Sequence, residues 1–378
     1  MVTKAIPHSG VKLASAVQEL YRAGQTDYYL EPIILSEPNG QPIGRIKDGD
    51  AVIFCCRRGE REIQLTEAFT EKNFSYFSRP DLSNLTFVIL TLYHEKFINL
   101  PVAFAPAKIT GTLGELVSKS GLRQLRVAES EKFAHVTFFL NGGDNQPFEG
   151  EVDIRIPSPR GIPFDQVPEL SLPQVSEEVK RGLGAKYDFV VTNFANGDVI
   201  GHTSNNTAKI QCAAHVDKYL GEVIQTALDE AYVVMVTADH GNLEVLKNPD
   251  GSPHVGHTTN QVPFILIDPG SAVIADLKDG KLADISPTIL SALGLEHPAG
   301  MDGMNLAQEY DWRGQRRVLL VILDGWGLGS QDGDNPIFLA NTPIWDELLK
   351  KYPSSRLHAS GTAVGLQEKK AGNSEAGH

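Results

Sequence analysis

The chain has 378 residues, 41% hydrophobic and 8% aromatic, enough for two globular domains with buried cores and not for a disordered chain. Its formal net charge of −13 argues against nonspecific nucleic-acid binding, although bound cations can reverse the sign around an anionic ligand. The sequence holds no run of about 18 apolar residues, which argues against a membrane span.

The opening residues, Met1-Val-Thr-Lys-Ala-Ile-Pro-His8, lack the apolar stretch of a signal peptide. Three cysteines, Cys55, Cys56 and Cys212, make neither a disulfide framework nor a zinc site, so a cytoplasmic protein with reduced thiols is expected. Residues 11–23 and 66–74 read as helices, and 51–54 and 85–90 as strands. This first part, residues 1–105, is predicted to form a domain of its own.

From residue 106 onward the pattern changes. Residues 125–128, 135–140, 189–194, 232–237, 263–268 and 317–323 are β-branched or apolar runs, which read as strands buried on both faces of a parallel sheet. Helical spacing over 207–231 and a short helix over 286–294, capped by Ser286 with Pro287 in the first turn and Gly294 at the end, fall between them. This alternation predicts a doubly wound α/β domain. Residues 298–314, rich in glycine and polar residues, read as a linker.

Several runs end where metal-ligating residues begin. Asp198 and His202 follow the run at 189–194, Asp239 and His240 follow 232–237, and Asp324 follows 317–323. Ligands of open α/β sheets bind beyond the carboxyl ends of the strands. His257, in Val255-Gly-His-Thr-Thr-Asn260, and Ser374, in Gly372-Asn-Ser-Glu-Ala-Gly-His378, complete the set. Three carboxylates and three imidazoles suffice for two divalent cations. Mixed oxygen and nitrogen donors suit Mn²⁺ or Zn²⁺ better than Mg²⁺. Two cations about 3.5–4 Å apart can stabilise both the attacking and the leaving oxygen of a phosphoryl transfer. A serine hydroxyl needs a base or a metal to become a nucleophile, and Ser374 is the candidate. Its position four residues before the end of the chain predicts loose geometry.

Taken with Asp324-Gly-Trp-Gly327, Ala340-Asn-Thr-Pro343, Gly361-Thr-Ala-Val-Gly365, Glu129-Ser-Glu-Lys-Phe-Ala-His-Val-Thr137 and Leu282-Ala-Asp-Ile-Ser-Pro-Thr288, these motifs resemble the cofactor-independent phosphoglycerate mutases of the alkaline phosphatase superfamily. The resemblance implies an alkaline phosphatase-like fold over 106–378. It also implies interconversion of 3- and 2-phosphoglycerate through a phosphoserine, in glycolysis and gluconeogenesis. One cation would take Asp198, His202 and His257; the other would take Asp324, Ser374, Asp239 and His240. Manganese is the first expectation, with Zn²⁺, Co²⁺ and Mg²⁺ as alternatives. Ser374 would be the nucleophile and Lys132 would face the phosphoryl group. Arg58 and Arg61 would hold the substrate's anionic groups as bidentate forks. The expected protein is a monomer acting on a small phosphorylated acid, without nucleic-acid or membrane partners.

Two departures accompany the resemblance. The Asp-Gly-Trp-Gly and Asn-Ser-Glu segment opens the family's chains, whereas here it lies at 315–378, so the order reads as permuted. The Ser-Asp-Gly-Gly-Val-His-Ser-His and Asp-Gly-Arg-Asp segments are absent from this sequence. Residues 1–105 therefore correspond to only part of the family's α/β substrate domain. A metal-dependent phosphohydrolase, or an inactive metal-binding remnant, are the competing readings.

Overall fold

The structure, a computed structural model, describes residues 9–26, 30, 32–56, 61–105, 109–270 and 276–378. It divides into two compact units, Met1–Pro106 and Ala107–His378. The first unit contains α1 (Ser9–Arg22), β1 (Ala51–Phe54), α2 (Arg61–Thr70) and β2 (Thr86–Ile89). The two strands pair in parallel, from Ala51 with Thr86 to Phe54 with Ile89. Phe87, Ile89, Tyr93 and Phe97 form a small core of their own. α2 starts and stops earlier than the predicted span of 66–74; the Thr70 hydroxyl bonds back to the Thr66 carbonyl at 2.8 Å, and the chain turns away just beyond.

The second unit runs α3 (Leu113–Lys119), β3 (Gln124–Glu129), β4 (Glu151–Ile156), α4 (Leu172–Gly184), β5 (Phe189–Phe194), α5 (Asn196–Gly201) and α6 (Asn206–Asp229). It continues with β6 (Val233–Thr237), β7 (Val262–Ile267), β8 (Gly280–Lys281), α7 (Ile285–Ala292) and β9 (Val318–Leu323). It closes with α8 (Pro336–Leu339), α9 (Pro343–Lys351), β10 (Ser354–His358) and α10 (Ser374–Gly377). Eight strands form one sheet in the order β4-β3-β5-β9-β6-β7-β10-β8. Only β7 runs against the others. Every residue of β5, β6 and β9 is buried, as a sheet sandwiched between helices requires. Each aliphatic side chain fully buried there contributes about 1.5–3 kcal/mol.

The position of β9 decides which loops can meet. β5 and β6 are successive in the chain but not neighbours, and β9 enters the gap between them from far along the sequence. Val318 pairs with both Phe189 and Val233, so the three strands start level. The loops after their carboxyl ends therefore emerge side by side.

Three local expectations need correction. Residues 135–140, read as a strand, form a π-helical turn at His135–Phe139. The Thr137 hydroxyl bonds to the Phe133 carbonyl at 2.7 Å, and Gly142 and Gly143 take positive φ just after. Those local bonds overrule the β preference of valine, threonine and phenylalanine, a preference that depends on sheet context. Ser286 lies inside α7 rather than capping it. A 3₁₀ turn at Leu282–Asp284 leads into the helix, and Asp284 accepts the Lys281 and Met304 amides at 2.8 Å each. The stretch 298–314 carries no helix or strand among its residues, but it is packed rather than free. Leu306, Ala307 and Trp312 are buried, and the Trp312 indole donates to the Ser291 hydroxyl at 2.9 Å.

All three cysteines are free. Among the described residues no helix is long and apolar enough to cross a membrane.

Candidate metal centre

Asp198 lies in the first turn of α5, just past β5, and His202 caps the end of that helix. Asp239 and His240 follow β6, Asp324 follows β9, and His257 comes from the loop before β7. Two glycines let these loops meet. A Cβ on Gly197 would come within 2.4 Å of the Asp324 carbonyl oxygen, and one on Gly325, at φ +72°, within 2.7 Å of the Asp198 amide nitrogen. Only glycine permits backbones to approach this closely.

The donor atoms converge. Asp198 Oδ1 lies 3.1 Å from His202 Nε2 and 3.0 Å from His257 Nε2, and the two imidazole nitrogens are 3.1 Å apart. His240 Nε2 lies 3.3 Å from Asp239 Oδ2, 3.6 Å from Asp324 Oδ1 and 3.9 Å from Asp198 Oδ1. His240 thus stands between two sets, Asp198 with His257 and Asp239 with Asp324. Adjacent donors on one ion with bonds of about 2.0–2.1 Å stand roughly 3 Å apart.

Hydrogen bonding on the far side of each imidazole supports a cation. His202 Nδ1 lies 2.8 Å from the Val255 carbonyl oxygen, His257 Nδ1 2.8 Å from that of Gly372, and His240 Nδ1 3.3 Å from that of Gly241. Each Nδ1 lies against a backbone carbonyl, which leaves Nε2 turned inward, the usual arrangement behind a ligating histidine. The inward Nε2 atoms of His202 and His257 stand against each other and against Asp198 Oδ1, a crowding of donor atoms that a shared cation would organise. Among the described residues, Asp239 Oδ2 is buried without a hydrogen-bond donor. The donor set therefore fits two divalent cations.

Lys132, in the turn after β3, reaches into the same space. Its ammonium donates to Asp198 Oδ2 at 2.6 Å, Asp324 Oδ1 at 2.8 Å and Ser374 Oγ at 2.7 Å. Burial alone would lower its pKa, but Asp198, Asp324 and Asp239 outweigh burial and hold it above its usual value. Burial pushes the Asp198 carboxyl up, yet Lys132 and the bonds to His202 and His257 bring it well below its usual value. Asp239 is likewise drawn down to about 2, with His240 leading the charges that overcome burial. Asp324 goes the other way, up to about 7, through burial and the neighbouring Asp239 charge.

Ser374 is held firmly rather than loosely. It is 6% exposed and is the first residue of α10, where the Asn373 side chain accepts the Ala376 amide at 2.9 Å. Its Oγ lies 3.1 Å from His240 Nε2 and 3.4 Å from Asp324 Oδ1. The structure thus brings together Asp198, His202, Asp239, His240, His257, Asp324, Ser374 and Lys132. Arg58 lies outside the described residues, and Arg61 is the first residue of α2 in the other unit.

Four further residues of the site, Asn193, Asn242, His378 and His135, are not singled out by the sequence pattern. Asn193 donates to Asp324 Oδ2 at 2.6 Å and contacts His378 Nε2 at 3.0 Å. Asn242 donates to Asp198 Oδ1 at 3.0 Å. His378 is anchored through Nδ1 to the Ser374 carbonyl at 2.9 Å, and its ring lies 5.4 Å from that of His135. For Asn193 a signal does exist: an asparagine near the carboxyl end of an otherwise apolar strand, as in Phe189-Val-Val-Thr-Asn-Phe194. A buried amide there needs a partner.

Comparison with known proteins agrees with this geometry. The family described as the metalloenzyme superfamily matches residues 15–297 and 316–378, and the chain belongs to that superfamily. Within it, the relatives of this chain are named 2,3-bisphosphoglycerate-independent phosphoglycerate mutases. The one from Moorella thermoacetica is 42% identical over 300 residues, covering 79% of this chain and 58% of the relative. That from Salinibacter ruber is 44% identical over 294 residues, covering 76% and 56%. A phosphoglycerate mutase from Leishmania mexicana, solved at low cobalt concentration, superposes with a TM-score of 0.70 at 28% identity, over 78% of this chain and 57% of that one. The large, mostly parallel sheet is accordingly of the alkaline phosphatase-like kind. The chain spans less than two thirds of the length of these relatives.

Proposed function

We propose that the second unit is the phosphoryl-transfer half of a 2,3-bisphosphoglycerate-independent phosphoglycerate mutase, and that the first unit is part of its substrate domain. The observation that carries this reading is the placing of Ser374 Oγ, buried between the Lys132 ammonium at 2.7 Å and His240 Nε2 at 3.1 Å. Asp198, His202 and His257 would hold one divalent cation; Asp239, His240, Asp324 and Ser374 would hold the other. Manganese is the expected ion. Such ions supply charge that lowers the pKa of a coordinated hydroxyl and offsets negative charge on a transferring phosphoryl group.

The chain's own residues do the rest. Ser374 attacks the phosphorus of 3-phosphoglycerate; its Oγ–P bond forms as the bond from phosphorus to the substrate's 3-oxygen breaks. Lys132 donates hydrogen bonds to the phosphoryl oxygens where charge is greatest. The glycerate's 2-oxygen then attacks the phosphoserine, and the Oγ–P bond breaks. Proton count is balanced: Ser374 loses one and the 3-oxygen gains one, then the 2-hydroxyl loses one and Ser374 regains it. Arg58 and Arg61 are assigned to the substrate's anionic groups. The order of segments is read as permuted. That reading rests on Asp324-Gly-Trp-Gly327 and Gly372-Asn-Ser-Glu375 lying behind the other ligand motifs, and the family matches the chain in two pieces, 15–297 and 316–378. A cytoplasmic monomer is the accompanying proposal.

Phosphorus NMR of the purified chain with Mn²⁺ and 3-phosphoglycerate tests this. Appearance of 2-phosphoglycerate is the expected result. Release of inorganic phosphate alone would identify a phosphohydrolase, and no change in any phosphorus signal would identify a metal-binding remnant.

A further inference from the structure

Glu244 lies four residues beyond His240 and is 1% exposed, yet it belongs to neither set of candidate cation donors. Its carboxylate accepts from three separate segments. Oε2 takes the backbone amide of Asn242 at 2.8 Å and that of Gly327 at 3.2 Å. Oε1 takes the Thr258 hydroxyl, and the Asn260 side-chain amide at 2.9 Å. An ionised carboxylate offers about four acceptor positions and no donor, so this group is saturated.

The three segments are those that carry Asp239 and His240, Asp324, and His257. Backbone bonds close the same joint: the Leu243 amide donates to the Gly325 carbonyl at 2.8 Å, and the Thr258 amide to that of Gly241 at 2.9 Å. The backbone packs directly on the carboxylate. A Cβ on Gly241 would come within 2.3 Å of Oε1, and one on Gly327 within 2.4 Å.

We propose that Glu244 is a positioning residue that sets the spacing of ligands at both cation positions at once, without touching either cation. The inference rests on the metal-centre reading. A glutamine in its place would direct an NH₂ group at donors and could not satisfy all four. The loops would then separate by tenths of an ångström, which is enough to weaken coordination. Loss of an outer partner of a metal ligand typically costs about 10–100-fold in affinity.

The test is calorimetric titration of Mn²⁺ alone into the metal-free full chain, with Co²⁺ visible spectra as a coordination signature. Glu244→Gln is expected to weaken Mn²⁺ binding by about 10–100-fold and to shift the Co²⁺ bands. Thr258→Val, which removes one donor and leaves the carboxylate in place, is expected to show a smaller loss in the same direction. Asp217→Asn serves as the control. Asp217 accepts the Trp345 and Ile344 amides at 2.7 and 3.2 Å, at the start of α9, so this variant should lower the melting temperature and leave affinity and spectrum unchanged. Parental affinity and spectrum in Glu244→Gln would overturn the positioning role, whatever happens to its melting temperature. Should that variant fail to fold, an unchanged Mn²⁺ affinity in Thr258→Val would overturn it. A parent chain that binds no Mn²⁺ would instead overturn the metal centre, and the positioning role with it.

Discussion

The Lys132 ammonium lies 2.7 Å from the Ser374 hydroxyl oxygen although 242 positions separate the two residues. The same ammonium bridges Asp198 and Asp324, so one buried cation ties the proposed nucleophile to a proposed ligand of each ion. Lys132→Met should lower turnover by roughly 10²–10³-fold, the usual effect of removing a donor from a developing charge. The rate of 2-phosphoglycerate formation at saturating substrate checks this, and an unimpaired rate would remove Lys132 from the reaction.

Ser374→Ala removes Oγ and nothing else of size. Turnover should vanish, and intact-protein mass spectrometry should find no phosphorylated species after incubation with substrate. Stability should fall by about 1–3 kcal/mol, since the buried Lys132 ammonium loses an acceptor. Retained phosphate incorporation in this variant would place the nucleophile elsewhere.

Removing divalent cations should destabilise the second unit. Asp198, Asp239 and Asp324 share one buried space with a single lysine, and without cations their charges repel. At free cation a hundred times the dissociation constant, binding adds about 2.7 kcal/mol. Excess chelator is therefore expected to lower the melting temperature, with recovery on adding Mn²⁺. A transition indifferent to chelator would argue that no cation is held.

Glu129 predicts a pH dependence away from the metal ligands. Burial pushes its carboxyl from about 4.5 up to about 7, against the lowering effects of Ser158 and the Ser171 amide. The folded chain therefore favours the protonated form. Its contribution to stability is complete below about pH 4.5 and is lost as pH rises through 7. The upper bound is on the order of 3 kcal/mol, at 1.36 kcal/mol per pKa unit. Glu129→Gln, which keeps an acceptor for the Ser171 amide at 2.6 Å, should flatten the fall in stability between pH 5 and 8. Parallel profiles of parent and variant in urea unfolding would refute this.

By itself the sequence determined the central strands β5, β6 and β9 and the places where the candidate ligands begin. The runs that became β5, β6 and β9 are apolar but for Thr192, Asn193 and Thr237, because both faces of a central strand are buried, and an aspartate breaks each pattern just beyond the strand's end. Local patterning reached its limit where local and tertiary bonds compete. Residues 135–139 carry strand-forming side chains yet wind into a π-helical turn, and the apparent linker at 298–314 buries Trp312. Only the tertiary structure decided which carboxylates meet. Inserting β9 between β5 and β6 sets Asp324 beside Asp198 and Asp239, and strand order is not encoded in any one run. It likewise decided the work of Glu244, whose four partners come from three segments. A saturated buried carboxylate is a property of assembled loops, and in the sequence Glu244 is one acidic residue among many.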